Sequence, residues 1–392
     1  MIDDRLLDEE AVRDDAAAAA GVKGWDDADI AEPLQVLLET VKAEGRLSAV
    51  GTEACGTRVR NLLRGFIQMQ ADATDHPDIL DEEVGQPLVL IGLPRSGTTL
   101  FHALLSRDPE ARAPLWWESL YPSPPPEAKT FFTDPRIAKV DAEFESMKQR
   151  NPNYDALQPW AAELTAECNT LAQPCLRSIA FSAYYDIPGY TEWYLAADQA
   201  ALYRYHRRAL KQLQWRGPKG RWVVKSPTHF FTLPALVGEY PDAVLLQTHR
   251  DPAQTIGSQA DMYLANRVLY SDDTDARAVG RDSFELWARG TDLMLAFRRA
   301  HPEVRVIDVA YPELVADPIG TVRSAYAQVG REVSPAMEHS MNTWMEENAR
   351  DKRPKHSYRL EDFGLSAGEV RARFGDYLDE FGAFCGLSGA ER

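Results

Sequence analysis

Cysteine is scarce in this chain, four residues in 392, and no two of them form a C-x-x-C pair. That excludes a disulfide framework and leaves Cys55, Cys168, Cys175 and Cys385 as reduced core thiols. Positive charge is also short, with 43 Lys and Arg against 60 Asp and Glu, a formal net charge of −17. A nucleic-acid partner is thereby disfavoured, and any phosphate must be bound in a local pocket rather than on a basic surface. No apolar run approaches the ~20 residues of a spanning helix. The opening "MIDDRLLDEEAVRDD" is acidic, the wrong sign for the start of a secretory signal. These absences predict a soluble, cytoplasmic protein. At 44% hydrophobic and 26% charged residues, the chain has ordinary globular composition and length for one large α/β domain with an added helical piece, or for two smaller ones.

Residues 1–31 carry ten acidic against three basic side chains, with an alanine run, and read as a frayed, solvated helix or arm. From Pro33 the pattern changes: Leu34, Leu37, Leu38 and Val41 recur with the spacing of an amphipathic helix. Val59, Leu62, Leu63, Phe66 and Ile67 mark a second one. Residues 1–82 are therefore expected to form a helical cap ahead of an α/β domain at 83–392. In that domain "PLVLIG", "RWVVK" (221–225), "AVLLQTH" (243–249) and "VRVIDVA" (304–310) are short apolar runs separated by helical spacings, the pattern of buried parallel strands. "YPSPPPEAK" (121–129) is too rich in proline for either element and reads as a surface connection. Eight aromatics crowd residues 181–205. With Trp116, Trp117 and Trp160 they either line an apolar acceptor pocket or fill ordinary core helices.

The stretch "LVLIGLPRSGTTLFHALL" (88–105) runs from strand through a glycine turn into a helix. Such a turn aims backbone N–H groups, here Ser96 to Thr99, and the positive end of the helix into one concavity. Thr98 and Thr99 add hydroxyls, and Arg95 adds a planar cation. Gly92 and Gly97 have the spacing of the nucleoside-triphosphate loop G-x-x-x-x-G-K-[ST], but Thr98 stands where that loop places lysine. Losing the lysine argues for one phosphate in the loop and no metal. A second anion grip follows in "QTHRDPAQTIGS": Arg250 just past a strand, Asp251 as N-cap, Pro252 at the first helical position, and Ser258 two turns along. His249, beside Arg250, reads as structural. Two grips without that lysine point to a nucleotide phosphorylated at two different places.

"GLPRSGTTL" followed by "HRDP…GS" resembles the sulfotransferase family, which uses 3′-phosphoadenosine 5′-phosphosulfate (PAPS) and releases 3′,5′-phosphoadenosine. The similarity is closest to bacterial, mycobacterial-type members, on "RDPEARAPLWWE", "KSPTHFFTLP", "YPELVADP" and "YRLEDFGL", and covers roughly residues 33–385. The resemblance implies a P-loop-like central parallel sheet flanked by helices. It implies that Arg95, Ser96, Gly97, Thr98 and Thr99 hold the 5′-phosphosulfate, Arg250 and Ser258 the 3′-phosphate, and Tyr311 the adenine. Lys355, His356 and Tyr358, in "DKRPKHSYRLEDFG", resemble a loop that closes over the nucleotide, though the R-K-G form of the phenol and steroid branch is absent.

Sulfuryl transfer needs a base for the acceptor hydroxyl and positive groups around the leaving oxygen. The resemblance implies Lys225 for the leaving phosphate oxygen, assisted by Arg95. For the base it offers Glu118, at the end of "APLWWE", and His229, in "KSPTHFF"; Glu118 is the favoured one. The expected activity is transfer to a hydroxyl of a small-molecule or lipid-like acceptor, with a homodimer left open. The other readings are a nucleotide kinase or NTPase, disfavoured by Thr98 and by the absence of an acidic strand end before Arg250, and a non-catalytic nucleotide-binding module, which has no use for Glu118, Lys225 or His229.

Overall fold

A computed structural model describes residues 4–150, 160–348 and 358–388. At its centre is a five-stranded parallel sheet in the order β2-β3-β1-β4-β5: β1 Leu88–Gly92, β2 Ala111–Arg112, β3 Arg221–Lys225, β4 Val244–His249 and β5 Val306–Ala310. Four of the five match the apolar runs to within two residues. The pattern was readable because a parallel strand buried on both faces is apolar throughout, and β1 is buried at every position. β2, only two residues long, carries no pattern of its own.

Side chains alternate across the sheet. Leu88 and Leu90 enter one core, with Phe101, Leu104 and Leu105 of helix α4 (Thr98–Leu105); Val89 and Ile91 enter the other. That second core is continuous with the N-terminal helices α1 (Glu9–Ala19), α2 (Ala28–Glu44) and α3 (Ala49–Asp75). Leu34, Leu37, Leu38 and Val41 are buried along α2, and Val59, Leu63, Phe66 and Ile67 along α3, on the predicted faces. The N-terminal arm departs from expectation. Rather than a frayed, solvated segment, residues 9–19 are a capped helix, with the Asp8 side chain accepting from the Ala11 amide at 2.9 Å. Val12, Ala16 and Ala17 are buried beneath it. Glu10, Asp14 and Asp15 stay exposed, while Ala11, Val12, Ala16 and Ala17 form the buried side.

Of the eight aromatics in 181–205, Phe181, Tyr185, Tyr190, Tyr194, Tyr203 and Tyr205 are buried in this core. The core-helix reading therefore holds for most of that stretch. All four cysteines are free and buried, and burial pushes the thiol of Cys55 up to about 11 and those of Cys168 and Cys175 up to about 12.

Candidate active site

Strands β1, β3 and β4 end side by side, and ligands in open α/β sheets are bound at that carboxyl edge. Here the edge opens into a cavity of about 1210 Å³. One wall is the turn from β1 into α4. Gly97 caps α4 with φ +97°, and a Cβ there would stand 2.8 Å from the Tyr311 ring, so only glycine fits. The first N–H groups of α4 have no acceptor within the helix, and Thr98 and Thr99 line the cavity beside them. Ser96 turns the other way: its hydroxyl meets Leu93 O at 2.5 Å and Thr248 Oγ1 at 2.7 Å, and its amide donates to Leu93 O. Within the expected loop, Ser96 thus holds the turn onto β4, while Gly97 to Thr99 face the cavity.

The second grip lies against the first. Helix Pro252–Arg267 starts as read, with Asp251 accepting from the Ala253 amide at 3.0 Å. Arg95 Nε donates to Ser258 Oγ at 3.1 Å, and Arg250 Nη1 donates to Arg95 O at 2.7 Å. Arg250 also lies over the Tyr311 ring, 4.2 Å from its centroid. Tyr358 donates to Gln254 O at 2.7 Å and packs on Gly257, where a Cβ would stand 2.8 Å from its ring. Arg95, Arg250, Ser258, Tyr311 and Tyr358 are therefore one cluster. Desolvation, reinforced by the charge of Arg250, lowers the pKa of the Arg95 guanidinium, and an anion beside it would favour the charged form against both. Lys355 and His356 lie outside the described residues.

Lys225, at the end of β3, is buried; its ammonium pairs with Glu167 and reaches Thr99 Oγ1 at 3.4 Å. Glu167 was not among the residues singled out from the sequence. It sits at the N-cap of the short helix Cys168–Ala172, but its side chain makes no cap bond and lines the cavity instead. The two candidate bases offered by the sequence, Glu118 favoured over His229, stand elsewhere. Glu118 is fully buried in helix α5 (Trp116–Leu120), paired with Arg112 and accepting from the Leu115 amide at 2.9 Å; it is absent from the cavity wall. His229 is buried against Tyr203, whose hydroxyl is 2.8 Å from Nδ1, and burial lowers its pKa to about 3. Only its neighbours Pro227 and Thr228 reach the cavity. His249 is structural as read, held between Asp308 and Tyr377.

A model of the sulfotransferase family matches residues 87–335. The chain belongs to the sulfotransferase family. Crystal structures of sulfotransferases STF1 from Mycobacterium tuberculosis H37Rv and STF9 from Mycobacterium avium superpose with TM-scores of 0.82 and 0.86, at 29% and 27% identity. They cover 94% and 95% of this chain, and 98% and 96% of their own. Omega-hydroxy-beta-dihydromenaquinone-9 sulfotransferase Stf3, from Mycobacterium bovis and Mycobacterium tuberculosis, is 24% identical over 310 residues, 76% of this chain and 75% of the relative. This sulfotransferase has the parallel sheet expected of the fold, with its cavity at the sheet's carboxyl edge. Among its described residues, no helix is long and apolar enough to cross a membrane and no cluster of side chains is suited to a metal ion.

Proposed function

We propose that this sulfotransferase takes PAPS as donor and a lipid-like hydroxyl compound as acceptor, with Glu167 as the base. The observation that carries the donor reading is the Arg95–Arg250–Ser258 cluster set against the open N-terminus of α4. One anion fits on Gly97, Thr98 and Thr99, a second on Arg250 and Ser258, and Tyr311 lies between the two grips. The loop lacks the lysine a triphosphate would need.

In the transfer, the S–O bond to the 5′-phosphate breaks as the acceptor oxygen bonds to sulfur. Glu167 receives the acceptor's proton, and the leaving electron pair goes to the phosphate oxygen, where Lys225, Thr99 and the α4 amides meet it. Glu167 is favoured over Glu118 because its carboxylate faces the cavity beside Lys225. The acceptor reading is supported by Trp116, Phe144, Met147, Trp160, Met262 and Trp287 in the cavity wall, a surface for apolar rather than polyanionic molecules. Calorimetric titration tests the donor. 3′,5′-Phosphoadenosine is expected to bind without a metal, and at least tenfold more tightly than ATP. Tighter binding of ATP that depends on Mg²⁺ overturns the assignment.

A further inference from the structure

Away from the phosphate loop the cavity wall is formed by α3, and Arg58 on that helix faces it. Its guanidinium lies over the Tyr184 ring, 3.8 Å from the centroid, and Nη2 donates to Gln173 Oε1 at 2.8 Å. Tyr270 closes the group, meeting Tyr184 edge-on at 6.1 Å and Tyr185 at 5.0 Å. Stacking and the Gln173 bond fix the orientation of the planar cation. Lys225 has Glu167, but among the described residues no carboxylate forms an ion pair with Arg58. Glu53, five positions earlier on α3, is exposed and lines the same cavity, but it forms no ion pair with Arg58. A half-buried cation among aromatic rings favours a site where an anion completes it.

The partner of Arg58 also supplies a ruler. Gln173 follows Glu167 by six residues, through helix Cys168–Ala172 and the short turn Gln173–Cys175. At 1.5–2.0 Å per residue, the backbones of these two cavity-lining residues are roughly 10 Å apart along the helix axis. We infer that Arg58 receives a carboxylate-type anion of the acceptor itself, an amphiphile whose acidic group lies roughly 10 Å from the hydroxyl presented to Glu167. This rests on the reading of Glu167 as the base, and adds a substrate class to it.

The test compares 10-hydroxydecanoate with its methyl ester, which keeps the hydroxyl and chain but removes the charge. Binding is measured by calorimetry on the full chain, with and without 3′,5′-phosphoadenosine, and sulfated product is followed with labelled donor. The wild type is expected to bind the carboxylate at least tenfold more tightly than the ester. Arg58→Gln should bring that ratio below threefold, and Arg58→Lys, which keeps charge but loses the fork, should fall between. A wild-type ratio near one overturns the inference without any variant, as does an unchanged ratio in folded Arg58→Gln. Because binding is read separately from turnover, absent product with an intact binding ratio would count against the donor and base assignment and leave the Arg58 site standing.

Discussion

Glu118 and Glu167 both sit at the start of short helices, yet their carboxylates have opposite fates. Glu118 closes the turn it starts, bonding the Leu115 amide and pairing with Arg112 in a fully buried setting. Glu167 leaves its helix uncapped and turns to Lys225 and the cavity. The two substitutions should therefore fail differently. Glu118→Gln strands the buried Arg112 charge, with an expected loss of about 3 kcal/mol in urea unfolding, while the folded fraction keeps turnover within a few-fold of wild type. Glu167→Gln removes the partner of the buried Lys225 and so should also lose some stability, less than Glu118→Gln because the Glu167 carboxylate is partly exposed. Its folded fraction should lose at least a hundredfold in kcat, the scale of a missing general base. Near-normal turnover of Glu167→Gln, or a hundredfold loss in stable Glu118→Gln, would reverse the roles. Glu167 could not be picked from the sequence because nothing in "AAELTAEC" marks it. It lies 58 positions from Lys225, and only the packing of helix Cys168–Ala172 beside the end of β3 joins them.

At the scale of the element, the β1–turn–α4 unit was legible as strand, turn and helix, though not the inward turn of Ser96. Its strand is apolar at every buried position, its glycine is required by φ, and its helix starts where the polar Thr pair stands. Helix α3 was legible only as a helix. Its buried face follows a regular spacing, but the side that meets the cavity carries Arg58, Asn61 and Gln68, indistinguishable in sequence from a solvated face. A segment read as a cap is thus also a wall of the site. The turn makes a sharp prediction. Gly97→Ala forces an alanine to φ +97°, at roughly 1–2 kcal/mol, and pushes its methyl into Tyr311. Affinity for 3′,5′-phosphoadenosine should fall at least tenfold by calorimetry, with a change in melting temperature of only a few degrees. An unchanged affinity would show that the loop does not bind the nucleotide.

Across the whole molecule, a net charge of −17 coexists with a site whose cations are gathered by strand ends and one helix. The same packing that builds the site buries four histidines. Burial lowers the pKa of His249, which has Asp308 as a partner. The other three have no carboxylate partner among the described residues: His102 against Val223 O, His206 against Tyr240 and His229 against Tyr203. Burial lowers their pKa values to about 3, about 4 and about 3. In the unfolded chain each would titrate near 6.5. Above that pH neither state binds these protons, and the three sites leave stability unaffected. As the pH falls below about 6.5 the unfolded chain gains three protons that the folded one refuses, so each histidine costs on the order of 1 kcal/mol per pH unit until its own folded pKa is reached. Urea unfolding at pH 7 and pH 5 should therefore show a loss of several kcal/mol well above the range where Asp308, held at about 2 by Arg298 and His249, begins to protonate. Replacing His206 with glutamine, which keeps a neutral polar group beside Tyr240, should reduce the acid-dependent part of that loss by about one third. Equal stability at the two pH values would mean that these rings accept protons in the folded state, and hence that the interior around them is open to water.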